Sequence, residues 1–434
     1  MTTEVPAVLG RRLWAMLVLL GFVGQLAWTV ENMYLNLFVY DTISGNPDVI
    51  AAMVAASAAA ATVATLTIGA LSDRMGRRRV FIAGGYVVWG LSTAAFGLVS
   101  VDTVAAVAPA VDAVAVAAVT VVVLDCVMSF LGSGANDASF QAWVTDVTRT
   151  ENRGRVESVL AVMPLMSMLM VFGGFDWMTR DGRWSLFFLV IGVIMAVAGV
   201  VAWAFVRDRP VERQAGGYLG ALVHGLRPSA MRANPGLYLA LSAWCVWGIS
   251  TQVFLPYLII YLERYLNIQG YALVLAVVLT GASAVSVLAG RFIDRVGKAR
   301  FLAPAAAVYA AGLLLMPLAR GTLPVMGAGL VLMSGFMLVL APVGALVRDF
   351  TPPGRAGHVQ GLRMVFAILI PMIIGPYLGA AVIKGANEHY EDLGVLKPVP
   401  TPAIFLVAAA VLVLIVPPVL ALNRRGAAVE EVAR

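Results

Sequence analysis

The sequence predicts an all-α membrane protein: twelve transmembrane helices arranged as two pseudo-symmetric six-helix bundles. Three observations carry that prediction. Of the 434 residues, 61% are hydrophobic and 12% charged, with a mean hydropathy of +0.89, whereas soluble domains run near half apolar and a quarter charged. Short polar breaks cut the chain into twelve apolar stretches, each close to the roughly 20 residues a helix needs to cross a bilayer core. A charged loop, "GALSDRMGRRR" at 69–79, returns as "GRFIDRVGKAR" at 290–300, the mark of an internal repeat.

The first expected span, 13–40, is too long for the apolar core of a signal peptide and meets Trp28, Glu31 and Asn32 without a small-residue cleavage site. It is therefore expected to be retained. Gln25, Trp28, Asn32 and Asn36 follow one another at spacings of 3, 4 and 4, which lines them along one helix face; Glu31 lies at its edge. Span 48–71 leads into a tight turn at 72–79, where Gly69 and Gly76 permit close helix approach and chain reversal. Span 79–100 follows, then an Ala, Val and Asp-rich stretch before span 117–144. Asp125, Ser129, Gly132, Asn136, Phe140 and Trp143 repeat the 3 or 4 spacing there, with Asp137 nearer the inner end. Spans 156–178 and 184–206 complete a first bundle over 1–206.

The break at 207–235 is the longest charged stretch between spans, and "YLGALVHGL" within it suits a short helix on the membrane surface. The second bundle, 236–434, opens with span 236–262, whose Trp244, Trp247 and Thr251 form a stripe with Gln252 beside it. Spans 270–292, 300–319, 322–347, 358–383 and 402–423 follow. Span 322–347 offers only the bland face Ser334, Met337, Ala341 and Ala345. The outer loop 384–402 is acidic and proline-ended, and an inert connector suits it better than a lid.

Twenty-four of the 30 Lys and Arg fall on the side that receives both termini, which the positive-inside rule makes cytoplasmic. The net charge of +6 thus serves topology, and no nucleic-acid partner is expected. Cys126 and Cys245 lie within spans as packing residues. The three histidines, His224, His358 and His389, lack metal-ligand spacing, so neither a metal, a cofactor, a catalytic residue nor an enzyme is expected.

Across the repeat, Gly69, Asp73, Arg74 and Gly76 return as Gly290, Asp294, Arg295 and Gly297. Loop 69–79 resembles the signature loop between helices 2 and 3 of the major facilitator superfamily, and the repeat, central break and twelve spans are similar to that fold over essentially the whole chain. The resemblance implies a secondary transporter that works by alternating access, with spans 1, 4, 7 and 10 lining its cavity. It also implies that Asp73, aided by Arg77, meets the start of span 11 near Gly357 to Gln360 and clamps the cytoplasmic side, with Asp294 in the mirrored place near Gly154 to Glu157. Gly69, Arg74, Arg295, Asp146 and Arg155 are assigned to the same gate. Arg78 and Arg79 are expected to serve topology alone.

Sugars offer C–H faces to aromatic rings and hydroxyls to amides and acids. Gln25, Trp28, Asn32, Asn36, Asp125, Asn136, Trp244, Trp247 and Gln252 are accordingly the candidate solute-binding residues. Glu31 and Asp125 each cost about 2.5–3.5 kcal/mol to place near the bilayer centre, which makes them candidate proton carriers. Sodium near Asp125, or a fixed hydrogen bond between helices, are the alternatives. The expected function is transport of a sugar or glycoside coupled to protons. The alternatives are a transporter or flippase of an amphiphile (glycolipid, lipid or drug) and a non-transporting receptor on the same fold. The Gly-Pro-rich helix 5 motif of drug antiporters, the "PESPR" type of sugar-porter signature and the paired helix 2 aspartates of melibiose-type symporters are all missing. A monomer in a bacterial plasma membrane, partnered by bilayer and solute, completes the expectation.

Overall fold

The computed structural model of the chain describes residues 10–148, 150–208, 227–351, 356–392 and 395–432. Among the described residues, twelve helices are long and apolar enough to span a membrane. They are α1 (Arg11–Ile43), α2 (Pro47–Met75), α3 (Arg78–Leu98), α4 (Ala113–Val147), α5 (Arg155–Arg180), α6 (Trp184–Phe205), α7 (Pro235–Tyr265), α8 (Tyr271–Ala289), α9 (Lys298–Leu318), α10 (Thr322–Asp349), α11 (Gly361–Gly385) and α12 (Ala403–Arg424). All twelve expected spans are met within a few residues. The expected surface helix at 218–226 lies outside the described residues.

Local chemistry sets the helix ends. Asp112 caps α4 by accepting from the Val114 and Ala115 amides at 3.1 and 3.2 Å. Asn234 caps α7, with Pro235 at its first position, where proline's missing N–H costs nothing. The turns α2–α3 and α8–α9 rest on Gly76 (φ 62°) and Gly297 (φ 91°), a left-handed backbone that glycine adopts without a Cβ clash. Both belong to the repeated motif. Gly69 plays no comparable part, since a Cβ there would meet Ala138 at an ordinary 3.7 Å. The Ala-rich insertion before α4 forms a short helix, Val101–Val107, capped by Ser100.

Several spans are interrupted by π turns, in which one extra residue is accommodated and the side chains beyond it are rotated about the axis. These occur at Val30–Tyr34 and Val39–Ile43 in α1, Ser133–Phe140 in α4, Val171–Phe175 in α5, Tyr261–Tyr265 in α7 and Val365–Leu369 in α11. The outer loop holds a two-stranded hairpin, β1 (His389–Asp392) antiparallel to β2 (Val395–Pro398).

The chain divides into two compact units. The first comprises Met1–Gly45 and Ala56–Tyr218, the second Asn46–Ala55 and Leu219–Arg434. The division falls within the expected 207–235 break, but the first turns of α2 group with the second unit. There the single proton of the Tyr257 hydroxyl serves either the Pro376 carbonyl at 2.9 Å or the Pro47 carbonyl at 3.2 Å, and Lys384 pairs with Asp48 at 2.6 Å. In the first unit α3 lies along α6, where Gly90 and Gly192 bring the two backbones together. Small residues serve this purpose between membrane helices because lipid tails leave packing, not water exclusion, to drive association. The outward faces are apolar, as at Leu91, Val287 and Val413; the polar side chains gather inside the units.

Candidate functional site

In the first unit, buried polar groups run along the inner faces of α1, α3 and α4. Glu31 is 8% exposed and Asp125 1%. The Ser129 hydroxyl donates to Glu31 Oε1 at 2.6 Å, and Ser57 of α2 hydrogen-bonds to Asp125. Among the described residues, Glu31 Oε2 and Asp125 Oδ1 are buried without a hydrogen-bond partner. The two acids interact electrostatically with each other and, more weakly, Glu31 with Asp137. Asp137 is half-buried. Its Oδ2 accepts from Ser133 at 3.0 Å and its Oδ1 from the Asn136 amide at 3.2 Å.

The expected α1 stripe is only partly realised. Helical spacing places Asn32 and Asn36 on one face, but the π turn at Val30–Tyr34 rotates the residues after it. Asn32 is exposed, whereas Asn36 is buried at 1% with its amide on the Asn32 carbonyl. Glu31, expected at the edge, is the residue turned into the unit. Trp28 is half-buried and packs on Trp89 with ring centroids 5.2 Å apart, and Gln25 is half-buried one turn before it.

On α4 the stripe holds together, yet it faces the interior of its own unit. A Cβ at Gly132 would stand 2.6 Å from the Trp89 ring. Asn136 is 2% exposed and its Oδ1 lies 2.9 Å from the Tyr86 hydroxyl, whose single proton serves either that oxygen or the Leu20 carbonyl at 2.8 Å. Its amide nitrogen donates to Asp137 of the same helix, so both polar atoms of Asn136 have contacts inside the unit. The Asn36 Oδ1 is buried with no hydrogen-bond partner among the described residues.

In the second unit Trp247 is 4% exposed, packs against Phe336 with tilted rings 4.7 Å apart, and buries its Nε1 with no hydrogen-bond partner among the described residues. Trp244 is 9% exposed, with the Arg363 guanidinium 5.4 Å above its ring, a cation–π arrangement. Thr251 shares a hydrogen bond with Tyr309 at 2.9 Å. Gln252 is half-buried and lies against Gly375 of α11.

At the Arg-rich end of the first unit, Arg78 is 4% exposed and forms an ion pair with Asp73. It also reaches Asp146 at 3.2 Å and the Ser72 hydroxyl at 2.7 Å. Arg74 and Arg77 are exposed. Chain reversal at Gly76 explains this, because it turns the first residue of α3 back over the end of α2. Arg78 is therefore the organising cation of the loop, a role that charge counting missed. Arg155 is exposed, 5.5 Å over Trp14, and Arg295 is exposed. The side chains of Gly290, Asp294, Gly154, Gly357 and Gln360 lie outside the described ones, as do Arg149 and residues 352–355.

Sequence reasoning also missed Ser57, Tyr86 and Trp89. Only Tyr86 and Trp89, three apart on span 79–100, left a trace there.

The Major Facilitator Superfamily sequence profile matches residues 17–376 and, in a second match, 249–432. No curated protein matches the chain in sequence. Among solved structures, the chain is similar to an aspartate-to-alanine variant of the nucleoside transporter NupG, with TM-score 0.70 and 13% identity over 94% of this chain and 99% of that one. It is also similar to a bacterial homologue of the human lysosomal transporter Spinster in an inward-facing, unoccupied conformation, with TM-score 0.67 and 13% identity over 96% and 98%. Twelve spanning helices, a motif repeated across two units and a profile that covers most of the length lead to one conclusion: this chain belongs to the Major Facilitator Superfamily of membrane transporters.

Proposed function

We propose that the protein is a secondary active transporter of the bacterial plasma membrane, both termini cytoplasmic, that moves a sugar or glycoside by alternating access coupled to protons. The observation that carries this reading is the Glu31–Asp125 pair, two carboxyls buried in the first unit, each with an oxygen that finds no hydrogen-bond partner among the described residues. Ionisable side chains within membrane spans mark ion and proton pathways, and these two carboxyls are the groups the unit offers to a proton. Each proton entering down a membrane potential contributes about 2.3 kcal/mol per 100 mV, enough to drive accumulation.

Gln25, Trp28, Asn32, Asn36 and Asp125 in the first unit, and Trp244, Trp247 and Gln252 in the second, are the solute contacts assigned within each unit. The half-buried indole of Trp28 and the exposed amide of Asn32 suit a ring with both C–H faces and hydroxyls. A nucleoside, the solute named for one structural neighbour, is itself a glycoside. The loop built on Arg78, with Asp73 and Asp146, is assigned to the conformational gate.

The reading is tested by thermal-shift screening of purified protein against sugars, glycosides, nucleosides and lipids. Proteoliposome uptake is then measured under imposed proton or sodium gradients. Proton-driven uptake of a glycoside, lost in Glu31→Gln and Asp125→Asn, is the expected result. Stabilisation by lipids alone, or sodium as the sole driver, overturns it.

A further inference from the structure

Asp125, Ser129, Ser133 and Asp137 stand four residues apart along α4. They form one ladder with an acid at each end and two hydroxyls between. Ser129 and Ser133 are 0% and 1% exposed. Each hydroxyl already donates to a carboxyl: Ser129 to Glu31 of α1 at 2.6 Å, and Ser133 to Asp137 of the ladder at 3.0 Å. Buried serines on a membrane helix usually return their proton to the carbonyl one turn back, as Thr120 does on the same helix. These two point at carboxyls instead. Burial also differs along the ladder, since Asp125 is enclosed at 1% while Asp137, nearer the Arg-rich end, is half-buried.

From this geometry we infer that α4 carries a proton relay, in which Asp137 exchanges protons between the Glu31–Asp125 pair and the Arg-rich side through Ser133 and Ser129. The inference rests on the proton-coupled reading above and adds its route. In one transfer the Glu31 carboxyl gives up a proton and the Asp137 carboxylate gains one. Each serine oxygen between them accepts a proton on a lone pair and releases its own, so both end unchanged apart from hydroxyl rotation. Residues one turn apart hold their Cβ atoms about 5–6 Å from each other, a gap between hydroxyls that one bridging water spans. The groups facing the ladder from neighbouring helices are Glu31 of α1, Ser57 of α2 and Tyr86 of α3, with Asn136 and Cys126 on α4 itself. Of these Glu31 is the proton-holding carboxyl, and it is the donor from which the route starts.

The test compares net uptake driven by a proton gradient with solute exchange at equal pH, in proteoliposomes containing the full chain. Exchange needs no net proton release. Asp137→Asn and Ser133→Ala are expected to slow net uptake at least tenfold while exchange stays within twofold of the parent, and Ser133→Thr, which restores a hydroxyl, is expected to recover net uptake. If net uptake in Asp137→Asn and Ser133→Ala matches the parent while Glu31→Gln abolishes it, the relay is refuted and the coupling pair stands. If the parent itself shows no proton-driven uptake, the coupled reading fails and the relay with it. Equal loss of uptake and exchange in both variants, with Ser133→Thr no better than Ser133→Ala, also refutes the relay in favour of a packing role.

Discussion

Replacing Arg78 by alanine removes the guanidinium that joins the end of α2 to α4. The side chain is 5% exposed and its two carboxylate partners are 19% and 17% exposed, so the cluster sits at the edge between full burial and solvent. Removing one member of a fully buried pair costs about 3–5 kcal/mol, whereas an exposed pair is worth about 0–1 kcal/mol. The acids here are mostly buried but keep other contacts, which places the loss at roughly 2–3 kcal/mol. At about 2–4 °C per kcal/mol for a unit of some two hundred residues, the melting temperature should fall by roughly 4–12 °C. Arg78→Lys, which keeps the charge but not the planar fork, should fall between alanine and the parent. Arg77→Ala, at an exposed position, should lie within about 0.5 kcal/mol of the parent. Thermal unfolding in detergent, followed by tryptophan fluorescence, measures all three. If Arg78→Ala melts with the parent, or Arg77→Ala falls as far, the loop is organised by something other than this guanidinium.

The same geometry sets further outcomes. Gly132→Val pushes a branched side chain into the Trp89 ring and should destabilise by about 1–3 kcal/mol as overpacking, seen as a lower melting temperature that Gly69→Ala does not share. Gly76→Ala and Gly297→Ala each force a Cβ into left-handed backbone at about 1–2 kcal/mol; equal melting of either variant and the parent would rule out the strained turn. Asn136→Ala should lower stability by about 1–3 kcal/mol by stranding buried partners without altering solute affinity, while Asn32→Ala should weaken solute-induced thermal shifts and leave the unliganded melting point alone. The opposite pattern would return Asn136 to the solute site.

Much of the architecture was legible in the residues alone. The twelve spans come from apolar length, a property a bilayer reads directly, and the repeated turns come from glycine at positions where a side chain would clash. Glu31 and Asp125 stood out because an acid in an apolar stretch needs a reason. The direction in which side chains face could not be read once a helix departs from 3.6 residues per turn. Glu31 and Asn32 both fall within the π turn at Val30–Tyr34, and Asn36 lies beyond it; no feature of the residues there announces the turn. Charge counting likewise treats Arg77, Arg78 and Arg79 alike, and only the reversal at Gly76 singles out Arg78 for burial. The partners of the acids, Ser129 across from Glu31 and Ser57 beside Asp125, come from other helices. Chain order therefore determined which segments cross the membrane and which residues are out of place there. The tertiary structure decided what each of them touches, because contacts between helices depend on rotation and approach that spacing along one chain does not encode.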